Sequence, residues 1–346
     1  MSQTNPDIAI LHLSDFHFGP YLQGVSRIGE WSTFAAPHSF NLLQGMETNT
    51  PEYFRKYGDR LIVAVTGDMT TAAEPPAYEA VNNYLRDLPF VSSKLRVGLD
   101  LNKISDRMYI VPGNHDVWLY GGFFTRWKRY TDRRDQYFKY FPERLPDAFP
   151  LVINGTSITL YTIDTNRVKR RINPFNFTNV LGRGEVGDEQ IGELLALHTG
   201  LSRRRSKGLP EGFDYDSSLK IALMHHHLAL PSYIPDNLQQ KFLKLEDAPA
   251  VSHLLCGIGV RLVLCGHQHF PYQIPDFRGK DNSGQSLFLS CAGSTTQIGC
   301  AENSFYVYEI TDKKDDTYQL DVLLYTADAE NYKYRFILKE EKTFVI

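Results

Sequence analysis

The chain has 346 residues, of which 42% are hydrophobic and 22% charged, with a formal net charge of −3. It is long enough to bury a substantial core. The small net charge argues against a polybasic protein built mainly to bind nucleic acid or an anionic membrane. The start, MSQTNPDIAILHL, lacks the basic and long apolar regions of a signal peptide, and the apolar run Leu254 to Gly266 is broken by Arg261. The sequence therefore reads as cytoplasmic, with no membrane partner. Oligomeric state leaves no mark in it.

Short apolar runs, each stopped by polar residues or glycine, predict strands at Ile8 to Leu13, Leu61 to Thr66, Met108 to Val111, Ser157 to Ile163, Leu219 to Met224, Arg261 to Cys265 and Ser286 to Cys291. Helical patterns fall between several of them, at Pro76 to Leu88, Asp188 to Leu201 and Leu238 to Ile258. Alternation of this kind defines an α/β architecture. Three further strands follow at Ser304 to Ile310, Thr317 to Thr326 and Tyr332 to Leu338, with a polar turn at Asp312 to Asp316. The whole chain, 1–346, is expected to be one domain, with 304–346 completing a sheet by antiparallel pairing. Three stretches, about 19–59, 118–150 and 167–208, read as insertions; the first two are aromatic-rich and the third carries RVKRR and SRRRSKG. The four cysteines, Cys256, Cys265, Cys291 and Cys300, lack CxxC spacing and read as reduced, mostly buried thiols.

Five short motifs stand at or just beyond the ends of apolar runs. They are SDFH (Asp15, His17), TGDM (Asp68), GNHD (Asn114, His115, Asp116), MHHH (His225, His226, His227) and CGHQH (His267, His269). Loops at the carboxyl ends of strands are where α/β sheets bind ligands. In an extended segment residues i and i+2 point the same way, so Asp15 with His17, and His267 with His269, would each direct two side chains into one site. Two carboxylates, several imidazoles and an amide oxygen suit first-row divalent metals such as Mn, Fe, Co, Ni or Zn better than calcium. The set is too large for one ion. Two ions, two carboxylates and one hydroxide leave a charge of about +1, which suits an anionic phosphate ester. Any one motif alone is commonly a turn, a cap or a satisfied polar pair; their conjunction in order carries the argument.

This ordered set, D-x-H, GD, GNHD, H and GHxH, resembles the calcineurin-like metallophosphoesterase superfamily, over residues 8 to about 310 and including CAGSTTQ at 291–297. The resemblance implies a four-layer α/β/β/α sandwich of two mixed sheets with a dinuclear metal site at the strand ends. It implies one metal held by Asp15, His17, Asp68 and His269, and a second held by Asp68, Asn114, His225 and His267, with Asp68 as the bridge. Manganese, iron or zinc would be the ions, divalent or mixed-valence. His115 resembles the family's outer-sphere histidine, which contacts the phosphate and protonates the leaving oxygen, with Asp116 orienting its ring. The fourth motif departs from the family's usual His-x-Pro or His-His-Pro. Matching Met224-His225 to the start of that motif favours His225 as ligand, leaves His226 as the alternative, and has His227 face substrate or solvent.

The implied function is hydrolysis of a phosphodiester, a cyclic nucleotide or another small diester, by a hydroxide between the two metals. The motifs resemble the class III cyclic nucleotide phosphodiesterase branch at least as closely as any other. A nuclease of the repair type, a phosphomonoesterase and a pyrophosphohydrolase are the alternatives on the same site, nucleic acid being the less favoured partner at this charge. A non-catalytic metal-binding scaffold is disfavoured because every matched ligand is present. Trp118, Phe123, Phe124 and Trp127 read as core or cap packing, Arg203 to Arg205 as a solvated loop or helix end, and His12, His198 and Asp164 as structural.

Overall fold

A computed structural model describes residues 5–19, 39–71, 73–86, 98–117, 130–142, 144–167, 182–203, 208–233, 245–277, 286–296, 302–330 and 333–346. The strands are β1 (Ile8–Leu13), β2 (Leu61–Val65), β3 (Met108–Ile110), β4 (Asp147–Ile153), β5 (Thr156–Thr162), β6 (Leu219–Leu223), β7 (Val260–Cys265), β8 (Tyr272–Phe277), β9 (Leu287–Cys291), β10 (Ser304–Asp312), β11 (Tyr318–Glu330) and β12 (Lys333–Val345). The helices are α1 (Phe40–Tyr57), α2 (Pro75–Arg86), α3 (Asn114–Val117), α4 (Tyr130–Tyr140), α5 (Gly187–Arg203) and α6 (Ala248–Gly257).

Two mixed sheets of six strands each run in the orders β12-β11-β10-β1-β2-β3 and β4-β5-β6-β7-β9-β8. In the first, β1, β2 and β3 are parallel and β10 pairs antiparallel with β1. In the second, β5, β6, β7 and β9 are parallel, with β4 and β8 antiparallel at the two edges. Three apolar layers hold these sheets between helices. Ile8, Ile10, Ile62 and Ala64 meet Leu160, Ile221, Leu223 and Leu264 between the sheets. The opposite face of the first sheet, Ala9, Leu11, Leu13 and Val63, packs on Leu43 and Met46 of α1 and Tyr78 and Val81 of α2. Ala222, Val263 and Leu289 of the second pack on Leu194 of α5 and Val251 and Leu255 of α6. The result is the four-layer α/β/β/α sandwich that the family resemblance implies.

Because both faces of the parallel strands are covered, β1 and β2 are buried along their whole length, which is why they read as continuous apolar runs rather than alternating ones. His12 falls on the inner face of β1. Its ring nitrogens meet the Tyr308 hydroxyl at 3.1 Å and the Thr66 hydroxyl at 2.9 Å, and burial lowers its pKa to about 3, so it is a neutral core side chain.

The structure departs from the sequence reading in several places. Residues 40–57, assigned to an insertion, form α1 and contribute Leu42, Leu43, Met46, Tyr53 and Tyr57 to the core. Ser39 caps the helix by accepting the Leu42 amide, and Asn49 bonds both the N–H and the C=O of Phe336 on β12. α4 and the start of β4 likewise occupy the second assigned insertion, while α5 in the third is the helix expected at Asp188 to Leu201. The helix expected from Leu238 begins at Ala248: Pro249 marks its first turn, and the Asp247 carboxylate is turned to the amides of Val186 and Gly187 at the head of α5. Trp118, Phe123, Phe124, Trp127, Arg204, Arg205, Cys300, residues 238–244 and Gln297 lie outside the described residues. Cys256, Cys265 and Cys291 are buried. Among the described residues no helix is long and apolar enough to cross a membrane.

Candidate metal centre

The segments that follow β1, β2, β3, β6 and β7 converge at the carboxyl ends of the parallel strands, where the two sheets meet. Asp15, His17, Asp68 and Asn114 come from the first sheet, and His225, His267 and His269 from the second. Asp15, His17, Asp68 and His269 offer ligand atoms that all lie within 4.8 Å of one another, and Asp68, His225 and His267 form a second such group. His225 Nε2 is also 3.1 Å from Asn114 Oδ1. All seven predicted ligands therefore meet, in two groups that share Asp68. All are buried except His269, whose side chain is 28% exposed.

The backbone that presents them is unusual. Asp15, His17, Asp68, His267 and His269 all have φ between 48° and 74°, the left-handed region. An L-residue there costs roughly 1–2 kcal/mol, so the surroundings must over-determine the conformation. The sequence argument for Asp15 and His17 assumed an extended segment. The two side chains do share a site, but through paired left-handed residues flanking the buried Phe16. The N–H groups of Asp15, His17 and Phe18 are held by the carbonyls of Gly67, Asp68 and Met69 at 2.9, 3.0 and 2.8 Å.

Each carboxylate is fixed by one oxygen and presents the other. Asp15 Oδ2 accepts the Ser14 hydroxyl at 2.5 Å and the His267 amide at 3.0 Å, while Oδ1 faces His269 Nε2 at 3.0 Å. Asp68 Oδ1 accepts the His115 amide at 2.7 Å, and Oδ2 lies 3.3 Å from His225 Nε2 and 3.9 Å from His17 Nε2. Burial opposes both charges, yet the surrounding imidazoles hold Asp15 and Asp68 well below the usual carboxylate range.

The imidazoles show why a cation fits. His225 Nδ1–H donates to the Thr66 carbonyl at 2.6 Å, so the neutral ring turns the lone pair of Nε2 toward Asp68 Oδ2, Asn114 Oδ1 and His267 Nδ1 at 3.3, 3.1 and 3.1 Å. Two of those neighbours are oxygens that can only accept. His17 Nε2 faces His269 Nε2 at 3.0 Å beside Asp15 Oδ1. Acceptors crowded in this way are reconciled by protons or by a cation. Donors about 2.1 Å from a common ion stand roughly 3.0–3.4 Å apart in octahedral or tetrahedral coordination, as most of these pairs do. Burial, the largest influence on each ring, lowers His17 to about 4 and His267 well below the usual range. On His225 the Asp68 carboxylate overrides burial and raises the pKa to about 9. A proton on His225 would thus take the place of a cation when no metal is bound.

His115 is 9% exposed and stacks edge-on against His17, with Nε2 4.0 Å from Asp68 Oδ2. Its Nδ1–H donates to the Thr71 carbonyl at 3.0 Å, which points Nε2 toward the cluster. Asp116, expected to orient this ring, does not. Its Oδ1 accepts the amide and hydroxyl of Thr70 and its Oδ2 the amides of Gly113 and Met69, so it ties the GNHD turn to the TGDM turn. His226 packs its ring 4.4 Å from that of His267 with Nδ1 2.7 Å from Thr165 Oγ1, and His225 is the histidine of this motif in the candidate metal group. His227, expected to face substrate or solvent, is buried, with Nδ1 3.3 Å from Gln268 Nε2. Asp164 pairs with Arg134 at 2.8 Å and is structural.

The supports that sequence reasoning missed are Thr66, Thr71 and Ser14. The first two act through backbone carbonyls, which leave no trace in residue identity. Ser14 stands beside Asp15 but matches no ligand type.

The family model for calcineurin-like phosphoesterases matches residues 8–271, and the chain belongs to that family. Among solved structures, a dimetal phosphatase from Danio rerio aligns over 98% of this chain and 98% of its own at 11% identity, with a TM-score of 0.53. It has the same fold. A purple acid phosphatase from seeds of yellow lupin (Lupinus luteus) aligns over 98% of this chain and 54% of its own at 13% identity, with a TM-score of 0.49. A comparison with curated proteins finds no match.

A glycine sets the spacing of the two halves. A Cβ on Gly266 would lie 1.9 Å from Ser14 Oγ and 2.6 Å from Asp15 Oδ2. Gly266→Ala is expected to lower stability by about 1–3 kcal/mol or more, whereas Gly192→Ala, inside α5 with nothing within 4 Å, should raise it by about 0.5–1 kcal/mol. Urea unfolding of the two variants checks this contrast.

Proposed function

We propose that the protein is a metal-dependent phosphoester hydrolase acting on a small phosphodiester, such as a cyclic nucleotide, through a two-ion centre. Asp15, His17, Asp68 and His269 would hold one ion, and Asp68, Asn114, His225 and His267 the other. The observation that carries this reading is the inward turn of buried acceptor atoms around a shared Asp68 Oδ2. The mixed oxygen and imidazole donors suit manganese, iron or zinc. Such a pair of ions supplies Lewis-acid charge and a nucleophilic water at neutral pH.

The protein's own residues do the rest. Ser14, the His267 amide and the His115 amide fix the carboxylates so that their free oxygens face inward. His115, held by Thr71, presents Nε2 where a protonated ring would donate to a departing alkoxide. The modest positive charge expected of the loaded site, about +1, balances a diester's single charge better than a monoester's two.

The test is kcat/KM for bis-p-nitrophenyl phosphate, p-nitrophenyl phosphate, 2′,3′- and 3′,5′-cyclic AMP and single-stranded DNA, with manganese, iron or zinc supplied. A diester is expected to be turned over fastest. Faster turnover of the monoester would overturn the diester assignment, and efficient DNA degradation would reassign the protein as a nuclease.

His115→Ala is expected to keep the metals and to lower kcat by roughly 10²–10⁴-fold for poor leaving groups. For good leaving groups the loss should be much smaller. Equal loss across leaving groups, measured on a series of substituted phenyl esters, would remove the proton-donor role.

The His225 proton gives a further expectation. With its folded pKa at about 9, raised above the ordinary value of about 6.5, that proton stabilises the metal-free fold below pH 6.5, and the contribution is lost as pH rises through 9. Metal binding must displace the proton. Calorimetric titration near pH 7 in buffers of different ionisation enthalpy should show proton release, fading as pH approaches 9, with affinity rising over the same range.

A further inference from the structure

The segment that leaves β9 reaches across to the Asp15–His17 turn. Three consecutive hydroxyls there donate to three consecutive carbonyls: Thr295 Oγ1 to Ser14 O at 2.9 Å, Ser294 Oγ to Asp15 O at 2.6 Å, and Thr296 Oγ1 to Phe16 O at 2.8 Å. The Thr295 amide adds a bond to Ser14 O at 3.0 Å. All three hydroxyl residues are fully buried. The N–H groups of the same turn are already taken by Gly67, Asp68 and Met69, so the turn is stapled along both edges.

We propose that Ser294, Thr295 and Thr296 are positioning residues that hold the two left-handed residues Asp15 and His17 in ligand geometry. The consequence for metal binding rests on the two-ion reading above. A left-handed L-residue relaxes toward ordinary backbone unless its polar groups are held. Removing a hydroxyl leaves a buried carbonyl without its donor and frees that relaxation. The group containing Asp15 and His17 takes two ligands from this turn, whereas the other touches it through the Asp68 carbonyl and the His267 amide. The Asp68, Asn114, His225 and His267 group is built on other loops.

The experiment uses Thr296→Val and Ser294→Ala, each made singly, with Thr296→Ser as the variant that keeps the hydroxyl. In metal-free protein, hydrogen exchange at the amides of Asp15, His17 and Phe18 should quicken by about tenfold in Thr296→Val and Ser294→Ala, while β1 amides are unchanged and Thr296→Ser behaves as the unaltered chain. Manganese titration against a competing chelator should show one of two ions weakened by about tenfold or more, the other retained, and recovery in Thr296→Ser. Unchanged exchange in the turn would overturn the clasp. Faster exchange with both ions bound as before, or with both weakened equally, would overturn the positioning role. An unaltered chain that takes up fewer than two ions would refute the two-ion reading instead, and the exchange data would still decide the clasp.

Discussion

The arrangement depends on one electrostatic constraint: hydrogen-bond acceptors are buried face to face. Asp68 Oδ2 approaches the Nε2 atoms of His225, His17 and His115, and His225 Nε2 also meets the oxygen of Asn114. Bringing lone pairs together away from water is unfavourable unless positive charge lies among them. Much of the surrounding structure can be understood as opposing that repulsion. The far oxygen of each carboxylate is tied to N–H or O–H donors, the Thr66 and Thr71 carbonyls set the tautomers of two rings, and five candidate ligands are locked in left-handed backbone.

The fold suits this because parallel strands deliver loops to one end. Five loops follow five parallel strands, three in one sheet and two in the other, and each candidate group takes members from both. Asp15, His17 and Asp68 meet His269 across the seam, while Asp68 and Asn114 meet His225 and His267. Close approach at the seam requires residues without side chains. Gly266 sits against Ser14 and Asp15, and a Cβ on Gly67 would come within 2.7 Å of His225 Nδ1.

Much of this was legible in the sequence, and what was not has physical causes. The strands of the sheet centres announced themselves because both faces are buried. β8, YQIPDF, did not: it is an edge strand with a proline and exposed polar positions, so no apolar run marks it. α1 was hidden because its sequence mixes a narrow apolar face with Asn, Thr and Pro51. The candidate ligands were readable because metal chemistry restricts side-chain type, but spacing alone cannot tell a left-handed turn from an extended segment of the same composition. Asp116 shows the limit. Its place next to His115 suggested a partner for the ring, whereas helical backbone at Asn114–Val117 sends neighbouring side chains in different directions. The backbone carbonyl that does orient His115 belongs to a residue 44 positions away.

On the proposed reading, the seam also links metal binding to the integrity of the sandwich. The two sheets are joined at their centre by apolar contacts, Ile10 and Ile62 on one side with Leu219, Ile221 and Leu223 of β6 on the other. At the strand ends the contacts are polar, and in the metal-free protein a proton on His225 lies between acceptors that would otherwise face one another. Ions bound by residues of both sheets would turn the least favourable part of that interface into a bonded one, and any ligand bound only by the folded state stabilises it by mass action. Asp68 belongs to both groups, so the two would share one carboxylate while each keeps ligands of its own, Asp15, His17 and His269 in one and His225 and His267 in the other.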